Sequence, residues 1–179
     1  MIFKQIKSEH TESEHMKSSR IKYGRLTDKT TMLLLILNIL WMLVIFIFSS
    51  QPGQESSQVS GFFKELFDKT VSVFFKGSLP GIFADNQPLV EHLVRKLGHI
   101  TEYMILGILT FSFLKRLTPG KAVLLALAIC ILYASSDEFH QIFVNGRGPS
   151  YTDVLLDSAA AAVGIIITGL RSYFRQKRT

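Results

Sequence analysis

Four apolar runs, each about as long as a bilayer is thick, leave few architectures open to this chain of 179 residues. The clearest spans about Thr31 to Ser50 and is apolar apart from Asn38. At about 1.5 Å of rise per residue, such a run crosses a hydrocarbon core of about 30 Å. Three more lie at about Leu93–Leu114, Ala122–Val144 and Val154–Leu170, with the short turns "KRLTPGK" and "NGRGPS" between them. In lipid the backbone must satisfy its own hydrogen bonds, which runs of this length do as helices. Short turns make successive helices antiparallel. The expected fold is all-α: a polytopic membrane protein with four transmembrane helices in an up-down bundle. A hydrophobic content of 47% agrees, since it exceeds what a soluble domain of this size normally buries. The first run has a rival reading as a signal peptide. The long tail ahead of it and the sequence "FSSQPGQ" after it, without a small-x-small pattern, favour a retained helix.

The remaining segments are shorter on signal. Residues 1–30 are polar and charged without a core-forming period, and are expected to be a disordered basic tail; residues 172–179 form a second basic tail around a membrane domain at 31–171. Between Pro52 and Pro88, Phe62, Phe63, Leu66, Phe67, Val71, Phe74 and Phe75 recur at helical spacing against Lys64, Glu65, Asp68, Lys69 and Lys76. That pattern reads as an interfacial amphipathic helix ended by Gly77 and Pro80, or equally as a packed helix of a loop domain. The single cysteine, Cys130, sits inside an apolar run, so an intrachain disulfide is excluded and a small buried hydrophobe is expected.

A net charge of +6 does not point to nucleic acid, because the basic residues cluster at the ends of apolar runs instead of lining one face. They divide by side. With the N-terminal tail inside, fourteen of the twenty Lys and Arg fall on the inner segments, and ten of the fourteen Asp and Glu fall on the outer ones. This asymmetry predicts a multi-pass protein of the cell membrane with both termini cytoplasmic.

The apolar runs carry residues that lipid does not tolerate. Arg95, Lys96, His99, Glu102 and Tyr103 stand in the second, Asp137, Glu138, His140 and Gln141 in the third, and Asp153 and Asp157 open the fourth. Ionisable groups in a bilayer cost several kcal/mol each unless paired or wetted, so a cluster of them marks a site. Counting from the inner helix ends puts Glu102, Asp137, Asp157 and His99 all roughly 18–22 Å above the inner edge of the core. Asp153 and the Ser49–Ser50–Gln51 end of the first helix lie nearer the rim. Helical steps align Arg95 with His99 and Glu102 or Tyr103, Asp137 with Gln141 or His140, and Asp153 with Asp157, while Arg147 on the outer turn can close over them. Structural readings stand beside these. Arg95 and Lys96 suit interfacial anchors, Asp137 and Glu138 a buried network with His99, Arg95 or Arg147, Asn38 a helix-helix hydrogen bond, and Asp153 a helix-start cap aided by Ser150 and Thr152.

At these residues the sequence resembles the VanZ-like family of bacterial membrane proteins. Its pattern of Phe-Ser-x-Gln-Pro, Arg-Lys-x-x-His-x-x-Glu-Tyr, Asp-Glu-x-x-Gln, Gly-Arg and a last-helix Asp stands here as Phe48–Pro52, Arg95–Tyr103, Asp137–Gln141, Gly146–Arg147 and Asp153 with Asp157. The likeness runs from about residue 40 to 168, with the motifs in order. It implies a four-helix membrane protein of Gram-positive type, in a family whose founding member is linked to resistance to the glycopeptide teicoplanin. It implies no particular reaction.

Three chemistries compete for the cluster. An enzyme acting at the outer leaflet on a phosphorylated or lipid-linked substrate would use His99, Glu102, Asp137 and Glu138 for proton transfer or attack. Arg95, Lys96, Tyr103, Gln141, Arg147, Asp153, Asp157, Ser50 and Gln51 would hold the substrate, with Arg95 and Arg147 on the anion. A binding module would hold a lipid head group, a lipid-linked cell-wall precursor or a glycopeptide without chemistry. A zinc or magnesium site drawn from His99, His140, Glu102, Asp137 and Glu138 is disfavoured by the neighbouring cations, and no cofactor is indicated. Ion transport fits poorly, because the inner halves of the runs are too apolar to line a path.

Overall fold

A computed structural model describes residues 28–51 and 87–178. They form four helices: α1 (Lys29–Ser49), α2 (Gln87–Leu117), α3 (Ala122–Gln141) and α4 (Tyr151–Gln176). All four are long and apolar enough to cross a membrane, as expected of a multi-pass membrane protein. The stretch expected to form the interfacial amphipathic helix, Phe62 to Lys76, lies outside the described residues, as does the N-terminal tail up to residue 27.

Cross-helix contacts set the directions. Asp28 meets Arg116, the Asn38 amide donates to Thr110 Oγ1 at 3.1 Å, and Trp41 Nε1 donates to the Glu102 carbonyl at 2.9 Å, so α1 and α2 run antiparallel. The Tyr133 hydroxyl on the Met42 carbonyl and Gln141 on Ser49 make α1 and α3 parallel. Lys96 beside Asp153 and His99 beside Asp157 make α2 and α4 parallel. The chain therefore goes up and down, as the short turns require. α1 packs chiefly on α2 and meets one end of α3.

The tightest pair is α2 with α4, and glycine makes it possible. A Cβ at Gly107 would stand 2.3 Å from the Ala161 carbonyl oxygen, and one at Gly164 would stand 2.2 Å from that of Met104. With no hydrophobic force between helices in lipid, such close backbone packing is a main source of association. On α3 the buried face steps by fours and threes through Ala122, Ala126, Cys130, Ala134, Asp137 and Gln141. Small residues occupy one half of that face and acids begin in the other. Cys130 is fully buried in the cluster formed with Ile45, Tyr103, Leu106 and Ala161. The opposite faces are apolar and bare: Leu124 and Leu132 are 71% and 70% exposed, which only a hydrocarbon surround makes favourable.

Helix ends differ from the apolar runs that announced them. α2 begins at Gln87, ahead of Leu93, with Pro88 in the first turn, where its missing N–H costs nothing. α4 continues through Gln176, beyond Leu170. Both extensions mix charged and apolar residues, because hydropathy reports the length of chain in lipid while hydrogen bonding carries the helix past it. α3 does the reverse and ends at Gln141. The apolar Ile142–Val144 that follow bond three residues back, Phe143 N to the His140 carbonyl at 3.0 Å and Val144 N to that of Gln141 at 3.1 Å, in a tightened turn. Gly146, with φ of 76°, then takes a left-handed conformation that lets the chain reverse into α4.

Candidate functional site

Helices α2, α3 and α4 bring their polar residues to one end of the bundle, where α1 finishes. Lys96 Nζ lies 2.7 Å from Asp153 Oδ1 at the rim, with both side chains about a quarter to a third exposed. One turn deeper, His99 Nδ1 lies 3.6 Å from Asp157 Oδ2, an electrostatic contact longer than a hydrogen bond. Asp157 is 1% exposed, and neither of its carboxylate oxygens has a hydrogen-bond partner among the described residues. The helical repeat that separates Lys96 from His99 and Asp153 from Asp157 thus makes two matched rungs between the parallel helices. Beneath them His99 stacks at 6.5 Å on Tyr103, which is fully buried and leaves its hydroxyl without a partner.

α3 contributes the second wall. Asp137, Glu138 and Gln141 are all buried, but the two acids are employed differently. Glu138 Oε2 accepts from the Ser150 backbone N–H at 2.8 Å and so braces the start of α4. Asp137 meets only the distant amide of Gln141, at 3.5 Å, and its other oxygen is unpartnered. Glu102 is half-buried and lies within electrostatic reach of His99, Asp137, Asp157 and Arg147. A buried carboxylate without a donor is costly, and such groups gather where function outweighs stability.

Arg147 reaches in from the α3–α4 turn. One of its terminal nitrogens donates to the Phe48 carbonyl at the end of α1, at 3.3 Å. Its Nε and other terminal nitrogen are buried without partners among the described residues. Burial first, and the nearby Arg95 charge second, hold its guanidinium below the ordinary arginine pKa, while Asp137, Glu102 and Glu138 oppose them. At neutral pH it stays a cation. Arg95 itself is half-buried beside this group.

Not every expected residue joins. Ser50 and Gln51 follow the end of α1, and among the described residues Gln51 shows only a backbone contact, to the Phe48 carbonyl at 3.4 Å. Ser50 Oγ stands 3.0 Å from His140 Nε2, a spacing familiar from nucleophile and base. Its proton, however, is donated to the Phe46 carbonyl at 2.6 Å, so the imidazole must donate to Ser50 and the pair only ties α3 to α1. His140 also packs against the Phe46 ring, with centroids 4.6 Å apart. Among the described residues no three His, Cys, Asp or Glu side chains converge as metal ligands. Asp153 is not the cap of α4: Ser150 holds the cap position, bonding Thr152 through its hydroxyl, and Asp153 turns to Lys96.

Ser49, expected near the rim with Ser50 and Gln51 but given no binding role, belongs to the buried seam. Ser49 is 1% exposed and accepts from Gln141 Nε2 at 2.9 Å. Its signal was present, since Thr31, Asn38, Ile45 and Ser49 fall at steps of seven and four on the buried face of α1.

Searches of curated proteins and of solved structures gave no match to the chain. The family model described as VanZ/LLP1 matches residues 34–172, a stretch that takes in nearly all of the four helices and every residue of the polar cluster. With the four membrane-crossing helices and the motifs at Arg95–Tyr103 and Asp137–Gln141 in place, the chain belongs to the VanZ/LLP1 family.

Proposed function

We propose that this protein acts at the outer leaflet on a phosphorylated or lipid-linked envelope substrate, with His99 as the base or nucleophile and Asp157 as the group that orients it. The observation carrying this reading is the His99–Asp157 pair at 3.6 Å, buried at one end of the bundle beside a guanidinium with unpartnered donors. Glu102 and Asp137 lie within electrostatic reach of His99. Those two remain as acids that receive or return protons, and Glu138, bound to the α4 backbone, holds the walls in register. Arg147 and Arg95 bind the phosphate, and Lys96 with Asp153 stands at the entrance. The charge asymmetry of the sequence supports placing this end outside with both termini in the cytoplasm.

The test is turnover by purified protein on phospholipids and cell-wall lipids. His99→Ala should lose about 100-fold or more of any activity found. If it retains full turnover on a substrate the parent processes, His99 has no chemical role. Labelling a cysteine placed at 147 in a Cys130→Ser background checks the orientation, and reaction only from the cytoplasmic face overturns it.

A second reading has its own support. Asp137, Glu138 and Asp157 are all more buried than any cation in the cluster, which suits non-catalytic binding of a lipid head group or of a cationic part of a glycopeptide. A binder would release its ligand unchanged, as mass spectrometry of the bound molecule would record. Either role is consistent with a place in envelope function or glycopeptide tolerance.

A further inference from the structure

The charges of this cluster are sorted by depth in a way that a simple phosphate site does not need. Arg147 presents buried, unpartnered Nε and terminal N–H groups from the turn, with Arg95 close enough to act on it. Farther into the bundle the charge reverses. Asp137 Oδ1 and both oxygens of Asp157 are buried acceptors with no donor among the described residues, on side chains 3% and 1% exposed. The hydroxyl of Tyr103, whose side chain is fully buried, is also unpartnered and lies within electrostatic reach of Asp137, Asp157 and Glu102. An anion alone would satisfy the arginines and be repelled by the acids. A simple cation would do the opposite, and no metal-ligating set is present among the described residues.

Building on the reading of a phosphorylated lipid substrate, we infer that the ligand's head group is zwitterionic: a phosphate held by Arg147 and Arg95, joined by a short linker to a primary ammonium that donates to Asp137 and Asp157. An ammonium has three donors and no acceptor, which matches carboxylate oxygens lacking a proton donor. The Tyr103 hydroxyl closes the far wall and can turn to accept from the same group. A quaternary ammonium carries charge but no N–H and leaves those oxygens unpaired. An uncharged glycerol head group supplies hydroxyl donors without the charge that four neighbouring acids favour.

The test uses the full chain in detergent, exchanged into nanodiscs that contain equal amounts of phosphatidylethanolamine, phosphatidylglycerol and phosphatidylcholine, with retained lipid read by native mass spectrometry. Phosphatidylethanolamine should be enriched over each of the others by about tenfold, the scale of one charge-assisted contact. Asp137→Asn should collapse that preference while retaining phosphatidylglycerol, and Arg147→Gln should lower retention of all three. Free phosphoethanolamine distinguishes the source of the head group: displacement of the lipid assigns a water-soluble ligand, and its failure assigns the intact lipid. Equal retention of the three lipids by the parent protein overturns the ammonium site and leaves the phosphate reading standing. Retention no better than that of diacylglycerol overturns both.

Discussion

Replacing Gly164 by alanine tests whether the α2–α4 approach holds the site together. The added methyl would lie 2.2 Å from the Met104 carbonyl oxygen, where ordinary contact begins at 3.4 Å, so α4 must recede by about 1.2 Å. The obstacle is helix backbone, which cannot rotate aside as a side chain does. Overpacking of this kind costs about 1–3 kcal/mol, and a rigid neighbour places it at the upper end. Against it stands the helical preference of alanine over glycine, about 1 kcal/mol. The net expectation is a loss of about 2 kcal/mol. Gly98→Ala supplies the control on the same helix pair, because its new methyl would meet nothing within 4 Å and should cost nothing or stabilise slightly. Reversible unfolding in detergent micelles reads both variants. Separation of the helices should also lengthen the His99–Asp157 contact, which lies two turns away from Gly164 along α4. If Gly164→Ala proves as stable as Gly98→Ala, the close approach does not carry the weight placed on it.

Two further perturbations probe the rest of the bundle. Asn38 and Thr110 form a buried pair at 3.1 Å, and a double-mutant cycle of Asn38→Leu with Thr110→Val should give a coupling of about 0.6 kcal/mol, the average for such bonds in membranes; a coupling of zero would leave Asn38 without its role. At the opposite end, hydrogen bonding to Arg116 holds the Asp28 carboxyl below its ordinary value of 3.8. A depressed carboxylate stabilises the fold above that value and loses its contribution as pH falls through the lower, folded one. Asp28→Asn should therefore flatten the acid limb of a pH-stability curve, and an unchanged limb would show that the pair is too exposed to matter.

Much of the site was readable before any coordinates. Spacing along single helices put Arg95, His99 and Tyr103 on one face and Asp153 with Asp157 on another, because the helical repeat is a local property. Pairing across helices was not readable in the same way. His99 meets Asp157 across the interface, a pairing that no spacing within one helix announces; Asp137 and Glu138 look like one acid pair and serve different partners. Depth alone ranked those residues equally, and azimuth separates them. Ser49 and Ser50, placed together near the rim, separate for the same reason: adjacent residues on a helix point about 100° apart, and only one of them faces Gln141.

Membrane residence, helix number, alternating direction and the gathering of polar groups at one end all follow from the order of residues, since hydrocarbon imposes its thickness and its intolerance of charge on any chain that crosses it. Which helices touch, and so which ionisable groups meet, was decided by packing. Gly107 and Gly164 admit a backbone where any other residue would place a methyl, drawing α2 against α4 more closely than any other pair. That choice is a property of two surfaces fitted together, and a single helix, however long and apolar, contains no record of its neighbour.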